Sequence, residues 1–192
     1  PEVEGTFSGR RGFLAIALGV LPALVAGFAL RHRLHDLYTP AVVAAGLAAG
    51  GVAILVLEAI RGDRGTATVD AITPRIALGV GLFQCVALWP GISRSAATIV
   101  GGMLLGLTRR GAAEFSFLLG APILFAASGY QLWKHRALLS TDTLGLVGVG
   151  FVVAAISAAL AVKAFTAILA RATLVPFAWY RLALAAVVLA LL

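Results

Sequence analysis

The chain has 192 residues, 61% hydrophobic and 12% charged, with a formal net charge of +7 and a mean hydropathy of +1.02. A soluble domain is about 45–50% apolar and about 25% charged, so this chain has too few charges to wet a surface and too many apolar residues for one core. These numbers exclude a soluble globular domain, a disordered protein and a disulfide-stapled mini-protein, and leave an all-α, polytopic membrane protein.

The chain opens Pro1-Glu2-Val3-Glu4 without an initiator Met or a cleavable leader pattern. The expectation is a fragment whose start lies upstream. Uncharged runs then mark the spans: Gly12–Leu30, Leu37–Leu57, Phe115–Trp133 and Thr143–Val162. Each reaches the roughly 20 residues needed to cross a bilayer. A fifth run, Ala172–Leu192, is interrupted by Arg181, which is read as snorkelling to the interface beside Trp179 and Tyr180.

The stretch from 76 to 107 is different. Trp89-Pro90-Gly91 breaks it in the middle, since Pro and Gly both oppose a continuing helix. Each half covers about 20 Å at 1.5 Å per residue, too short for a hydrocarbon core of about 30 Å. The reading is a re-entrant hairpin with its tip in the membrane. The architecture is thus a single membrane domain over residues 1–192, with about five transmembrane helices and this hairpin.

The basic residues sit in clusters between the apolar runs, as topology signals do, and no nucleic-acid-binding pattern is present. With a hairpin that returns to its own side, one face gathers Arg10, Arg11, Arg61, Arg64, Arg75, Arg109, Arg110, Lys163, Arg171 and Arg181, and the other holds Arg31, Arg33, Lys134 and Arg136. The first face is therefore read as cytoplasmic. Cys85 is the single cysteine, and His32 and His35 lack a third ligand, so no metal site is read in the chain. Gly46-x-x-x-Gly50 and Gly102-x-x-x-Gly106 are read as close-packing positions.

Chemistry is concentrated at Pro90-Gly91-Ile92-Ser93-Arg94-Ser95-Ala96-Ala97-Thr98. An arginine inside the membrane costs at least about 2.5–3.5 kcal/mol and calls for an anionic partner. Here it stands at the start of a helix, where free N–H groups and the helix dipole favour negative charge. Three hydroxyls, Ser93, Ser95 and Thr98, stand near it. These are the parts of a phosphate site. The structural alternative has Ser95 as a helix cap and Arg94 paired with Glu114. Gln84 either contacts a ligand or joins helices. Local spacing does not separate a phosphatase from a polyprenyl-phosphate or anion transporter.

The stretch Phe83-Gln84-Cys85-Val86-Ala87-Leu88-Trp89-Pro90-Gly91-Ile92-Ser93-Arg94-Ser95 resembles the second signature of the undecaprenyl-diphosphate phosphatase (bacitracin-resistance) family. Glu114-Phe115-Ser116-Phe117-Leu118-Leu119 and Val175-Pro176-Phe177-Ala178-Trp179-Tyr180-Arg181 resemble its later blocks. The resemblance implies an inverted repeat with two re-entrant hairpins, of which this chain holds the second part. It also implies removal of the terminal phosphate of undecaprenyl diphosphate in the bacterial inner membrane, which recycles a peptidoglycan lipid carrier and confers bacitracin resistance. By the same resemblance Arg94, Ser93 and Thr98 are the catalytic candidates, and Pro90, Gly91, Ser95 and Gln84 bind or shape the site for the diphosphate. Ala96 stands where many members have glycine. The family's first signature, an acidic pair followed by a serine-rich loop and a histidine, is not in the sequence. The divalent cation that the resemblance implies (Mg or Ca) is expected to find its ligands there, and this chain alone is expected to be inactive. The expected partners are a polyprenyl diphosphate, membrane lipid and a second copy of the chain.

Overall fold

The structure, a computed structural model, describes residue 7, residues 9–136 and residues 141–192, without the side chains of 32, 35 and 141–143. The side chains of His32 and His35 therefore lie outside the described residues. Among the described residues there are seven α-helices: α1 (Gly9–Asp36), α2 (Pro40–Ile60), α3 (Pro74–Val86), α4 (Arg94–Leu104), α5 (Arg109–Lys134), α6 (Thr141–Leu169) and α7 (Val175–Ala190). Their starts follow local chemistry. Thr39, Thr73, Ser93 and Thr108 each accept a hydrogen bond from a backbone N–H three residues on, satisfying a donor that the first turn cannot. Pro40 and Pro74 follow two of these caps, where a missing N–H costs nothing.

Stretches of α1, α2, α5 and α6 are long and apolar enough to cross a membrane. The chain is thus a multi-pass membrane protein. The expected fifth span is α7, which has 16 residues, about 24 Å at 1.5 Å per residue. It lies along α2 and is shorter than a full crossing.

Helices α3 and α4 pack against one another as a helical hairpin. Its two ends meet in a parallel bridge between Ala67 and Leu107. Ala67 donates to the Gly106 carbonyl at 3.2 Å, and Thr108 donates to the Ala67 carbonyl at 2.9 Å. Entry and exit are therefore on one face, which supports the parity used in the charge count.

An ionic layer closes this base. Arg109 donates from Nε and Nη2 to both oxygens of Glu58, at 3.0 and 2.8 Å, and its backbone N–H donates to Asp63 at 2.8 Å. The pair is nearly enclosed, with 9% and 6% of the side chains exposed. Glu58 also accepts from the N–H of Leu174, one residue before α7. One carboxylate thus joins α2, α5 and α7. Around it packs the core, with Leu57, Met103, Leu107, Ala112, Phe115, Leu119 and Leu169 almost wholly buried. The opposite holds for α6: the apolar stretch Leu144–Leu169 has none of its best window buried within the chain, as suits a helix facing lipid.

Candidate active site

The hairpin tip is a Trp89-Pro90-Gly91-Ile92 turn. Ile92 donates to the Trp89 carbonyl at 3.1 Å, and Gly91 has φ +89°. Proline second and a positive-φ residue third are the requirements of a type II turn. A side chain at Gly91 would run into the Val43 carbonyl, and one at Gly46 would run into that of Pro90. Gly46 is thus a packing position, as expected, and its partner is the tip of the hairpin, pressed against α2.

Beyond the turn, Ser93 caps α4 and Arg94 begins it. Arg94 donates from Nη1 to the Ser116 carbonyl on α5 at 3.0 Å, and its guanidinium lies against Gly120. No carboxylate pairs with it among the described residues. Glu114, the alternative partner, instead accepts from Arg110 one turn earlier at 2.8 Å. A charge held in an apolar interior without a counter-ion is unfavourable, so the geometry leaves Arg94 open to an incoming anion.

The sequence places Ser93, Arg94 and Ser95 in one cluster; the fold divides them. Ser93 is an extended N-cap, and its hydroxyl folds back over the first turn of α4 toward Ser95 and away from Arg94. Arg94 lines a cavity of about 550 Å³ with Gln84, Arg31 and the apolar residues Leu24, Phe28 and Leu88. Ser93 and Ser95, whose hydroxyls are 3.0 Å apart, line a second cavity of about 210 Å³ with Arg181, Phe177 and Tyr180. Thr98 lines neither cavity and is fully buried. Its hydroxyl lies 2.7 Å from the Ser116 hydroxyl and 3.0 Å from the Arg94 carbonyl. It thereby ties α4 to the α5 residue whose carbonyl holds Arg94. Gln84 is 2% exposed, donates a long 3.5 Å bond to the Gly19 carbonyl, and leaves Oε1 without a partner. It joins α3 to α1 and keeps a free acceptor on the Arg94 cavity.

Arg181 corrects the sequence reading. It does not reach an interface. It is 9% exposed, with Nη2 donating to the Gly91 carbonyl at 2.9 Å and the Gly46 carbonyl at 3.4 Å. Gly50 makes the room for its guanidinium. Arg181 therefore leaves the charge count of the arginine-rich face and joins the hairpin tip. The sequence held the signal: an arginine six residues into an apolar helix raises the same question as Arg94.

Residues 4–187 match the family of the bacitracin resistance protein BacA. This chain belongs to that family. A BacA-family relative from Solidesulfovibrio magneticus, named undecaprenyl-diphosphatase, is 49% identical over 189 residues, covering 98% of this chain and 71% of the relative. A relative of the same name from Nitratidesulfovibrio vulgaris is 48% identical over 189 residues, with the same two coverages. One from Wolinella succinogenes, again an undecaprenyl-diphosphatase, is 45% identical over 183 residues, covering 94% of this chain and 72% of the relative.

No group of three or more His, Cys, Asp or Glu residues comes together among the described residues of this BacA-family chain. The free donors at the hairpin are guanidinium and hydroxyl groups, which suit the oxygens of an anion, while the free atom of Gln84 is an acceptor, Oε1.

Proposed function

We propose that this chain acts in the hydrolysis of undecaprenyl diphosphate to undecaprenyl phosphate and inorganic phosphate, in the bacterial inner membrane. The reaction recycles the lipid carrier of peptidoglycan synthesis and confers bacitracin resistance. The observation that carries the reading is Arg94: a membrane-embedded guanidinium without a carboxylate among the described residues, at a helix N-terminus, lining a mostly apolar cavity of about 550 Å³. An anionic headgroup on an isoprenoid tail has both halves of that character.

In the reaction, water adds to the terminal phosphorus and the bond from that phosphorus to the bridging oxygen breaks, so charge builds on the leaving lipid phosphate. Arg94 neutralises that charge, and the N–H groups of the first α4 turn add partial positive charge. The type II turn at Pro90 and Gly91 fixes where that helix begins. Thr98 acts through Arg94 by holding α4 on Ser116. The proposed divalent cation, Mg or Ca, meets no carboxylate in either cavity, so these residues contribute to the anion's oxygens alone. A homodimer is the proposed assembly, to be tested by light scattering of the detergent-solubilised protein.

Phosphate release from undecaprenyl diphosphate in detergent, measured on the chain extended with the family's first-signature region, is the decisive assay. Arg94→Ala is expected to lower kcat about 10²–10³-fold, the usual loss for a preorganised oxyanion donor, with the fold retained. Full turnover without Arg94 would remove it from the site. Transport of the lipid phosphate without phosphate release would favour a transporter.

A further inference from the structure

The peptide unit between Gly91 and Ile92 is held at both ends. Its N–H donates to the Trp89 carbonyl at 3.1 Å, inside the turn. Its C=O accepts from Nη2 of Arg181, on α7, at 2.9 Å. Among the described residues this second bond is the one that ties the turn at 89–92 to another helix. The same nitrogen also reaches the Gly46 carbonyl of α2 at 3.4 Å, so one guanidinium group joins three elements. Its Nε–H meets no acceptor, so the charge is held by main-chain carbonyls. A charged donor makes a stronger bond to a carbonyl than a neutral one, and burying it is costly. A mere filler of the space between α2 and α7 needs no charge.

The held peptide stands where orientation matters. Glycine is the most permissive residue, so at Gly91 the main chain rotates easily unless something outside it fixes the plane. Two residues on, Ser93 is the extended cap of α4, and Arg94 is the first residue of the helix. The plane of the Gly91–Ile92 peptide therefore sets the direction in which α4 leaves the turn. That direction aims the Arg94 guanidinium and the N–H groups of the first turn that have no partner within the helix.

We propose that Arg181 is a positioning residue for the reaction, acting through the Gly91–Ile92 peptide on Arg94. The proposal rests on the phosphatase reading for the reaction that is positioned. Because Arg181 acts through Arg94, its contribution falls on kcat and disappears when Arg94 is absent.

The test is a double-variant cycle on phosphate release from undecaprenyl diphosphate, measured in detergent on the chain extended with the family's first-signature region. Arg181→Met keeps an unbranched side chain and removes the donors. It is expected to lower kcat by about 10–100-fold, the range for a misplacement on the order of 1 Å, and to leave KM within about twofold. Arg94→Ala combined with Arg181→Met is expected to be no slower than Arg94→Ala alone. Losses that multiply would overturn the proposal, as would wild-type turnover in a folded Arg181→Met variant. Amide hydrogen exchange gives a second readout on the present chain. Residues 92–96 are expected to exchange faster in Arg181→Met while residues 107–112 at the hairpin base do not, and unchanged exchange at the tip would overturn the proposal. Should Arg181→Met fail to fold, Gly50→Ala displaces the same guanidinium and keeps its charge; wild-type kcat and wild-type tip exchange in that variant overturn the proposal. An extended wild-type chain that releases no phosphate would sink the phosphatase reading, and tip exchange would still decide whether Arg181 holds the turn.

Discussion

The two ends of the re-entrant hairpin treat arginine in opposite ways. At the base, Arg109 is saturated: Glu58 takes its fork at 3.0 and 2.8 Å, and Asp63 takes its backbone N–H. At the tip, Arg94 and Arg181 bond to carbonyls and meet no carboxylate among the described residues. A paired buried charge serves structure, whereas an unpaired one serves the site. Burial alone does not separate the two cases, since Arg109 and Arg181 are about equally enclosed. Their partners do.

The contrast breaks most visibly at the base. Glu58→Ala removes the bidentate partner of Arg109, leaving it the longer 3.5 Å contact to the partly exposed Asp63, and strands the Leu174 N–H, so we expect a loss of about 3 kcal/mol in stability, read as a lowered unfolding temperature in detergent. Combining Glu58→Gln with Arg109→Met removes both charges while keeping an acceptor for Leu174, and most of that loss is expected to return. If the double variant is as unstable as Glu58→Ala, the base is not simply structural. A smaller effect is expected at the turn. Gly91→Ala forces an L side chain to φ +89° against the Val43 carbonyl, costing about 1–3 kcal/mol. Because this turn positions α4, phosphate release should fall by more than stability does. The least effect belongs to the exposed Arg110–Glu114 pair: Glu114→Ala is expected to change stability by at most about 0.5 kcal/mol and turnover not measurably. A large loss of turnover there would revive Glu114 as a partner of Arg94.

How much of this the sequence carries depends on the range of each interaction. The hairpin was legible because its determinants are local: Pro90-Gly91 in the middle of a run, and two halves too short to span. Arg94 was legible because a charge inside an apolar run is conspicuous. The Glu58–Arg109 pair was not, since 51 residues separate its members and Arg109 reads as one more topology charge. Arg181 was misread for a related reason. Beside Trp179 and Tyr180 it looks interfacial, and nothing local reveals that α7 packs along α2 with Gly50 opening space for a guanidinium. Ser93 meets Ser95 because it is the extended N-cap of α4 and its hydroxyl turns back over the first turn, and which side holds which cavity is decided by α1, α2, α5 and α7. Ser116 lies in a block that resembles the family, but nothing local marks its role: a serine in an apolar helix gains it only once Thr98 and Arg94 arrive beside it.

The bridge between Ala67 and Leu107 also bears on how the protein is made. Both ends of the hairpin stay on the face where they began, so no part of residues 68–106 has to be translocated to the far side, and Arg94 never has to cross the bilayer. The bridge also needs the N–H of Thr108, and the ionic layer beneath it needs Arg109. The hairpin therefore cannot be stapled shut until the first residues of α5 have left the ribosome, which makes its closure a late step in membrane insertion, directed from one leaflet.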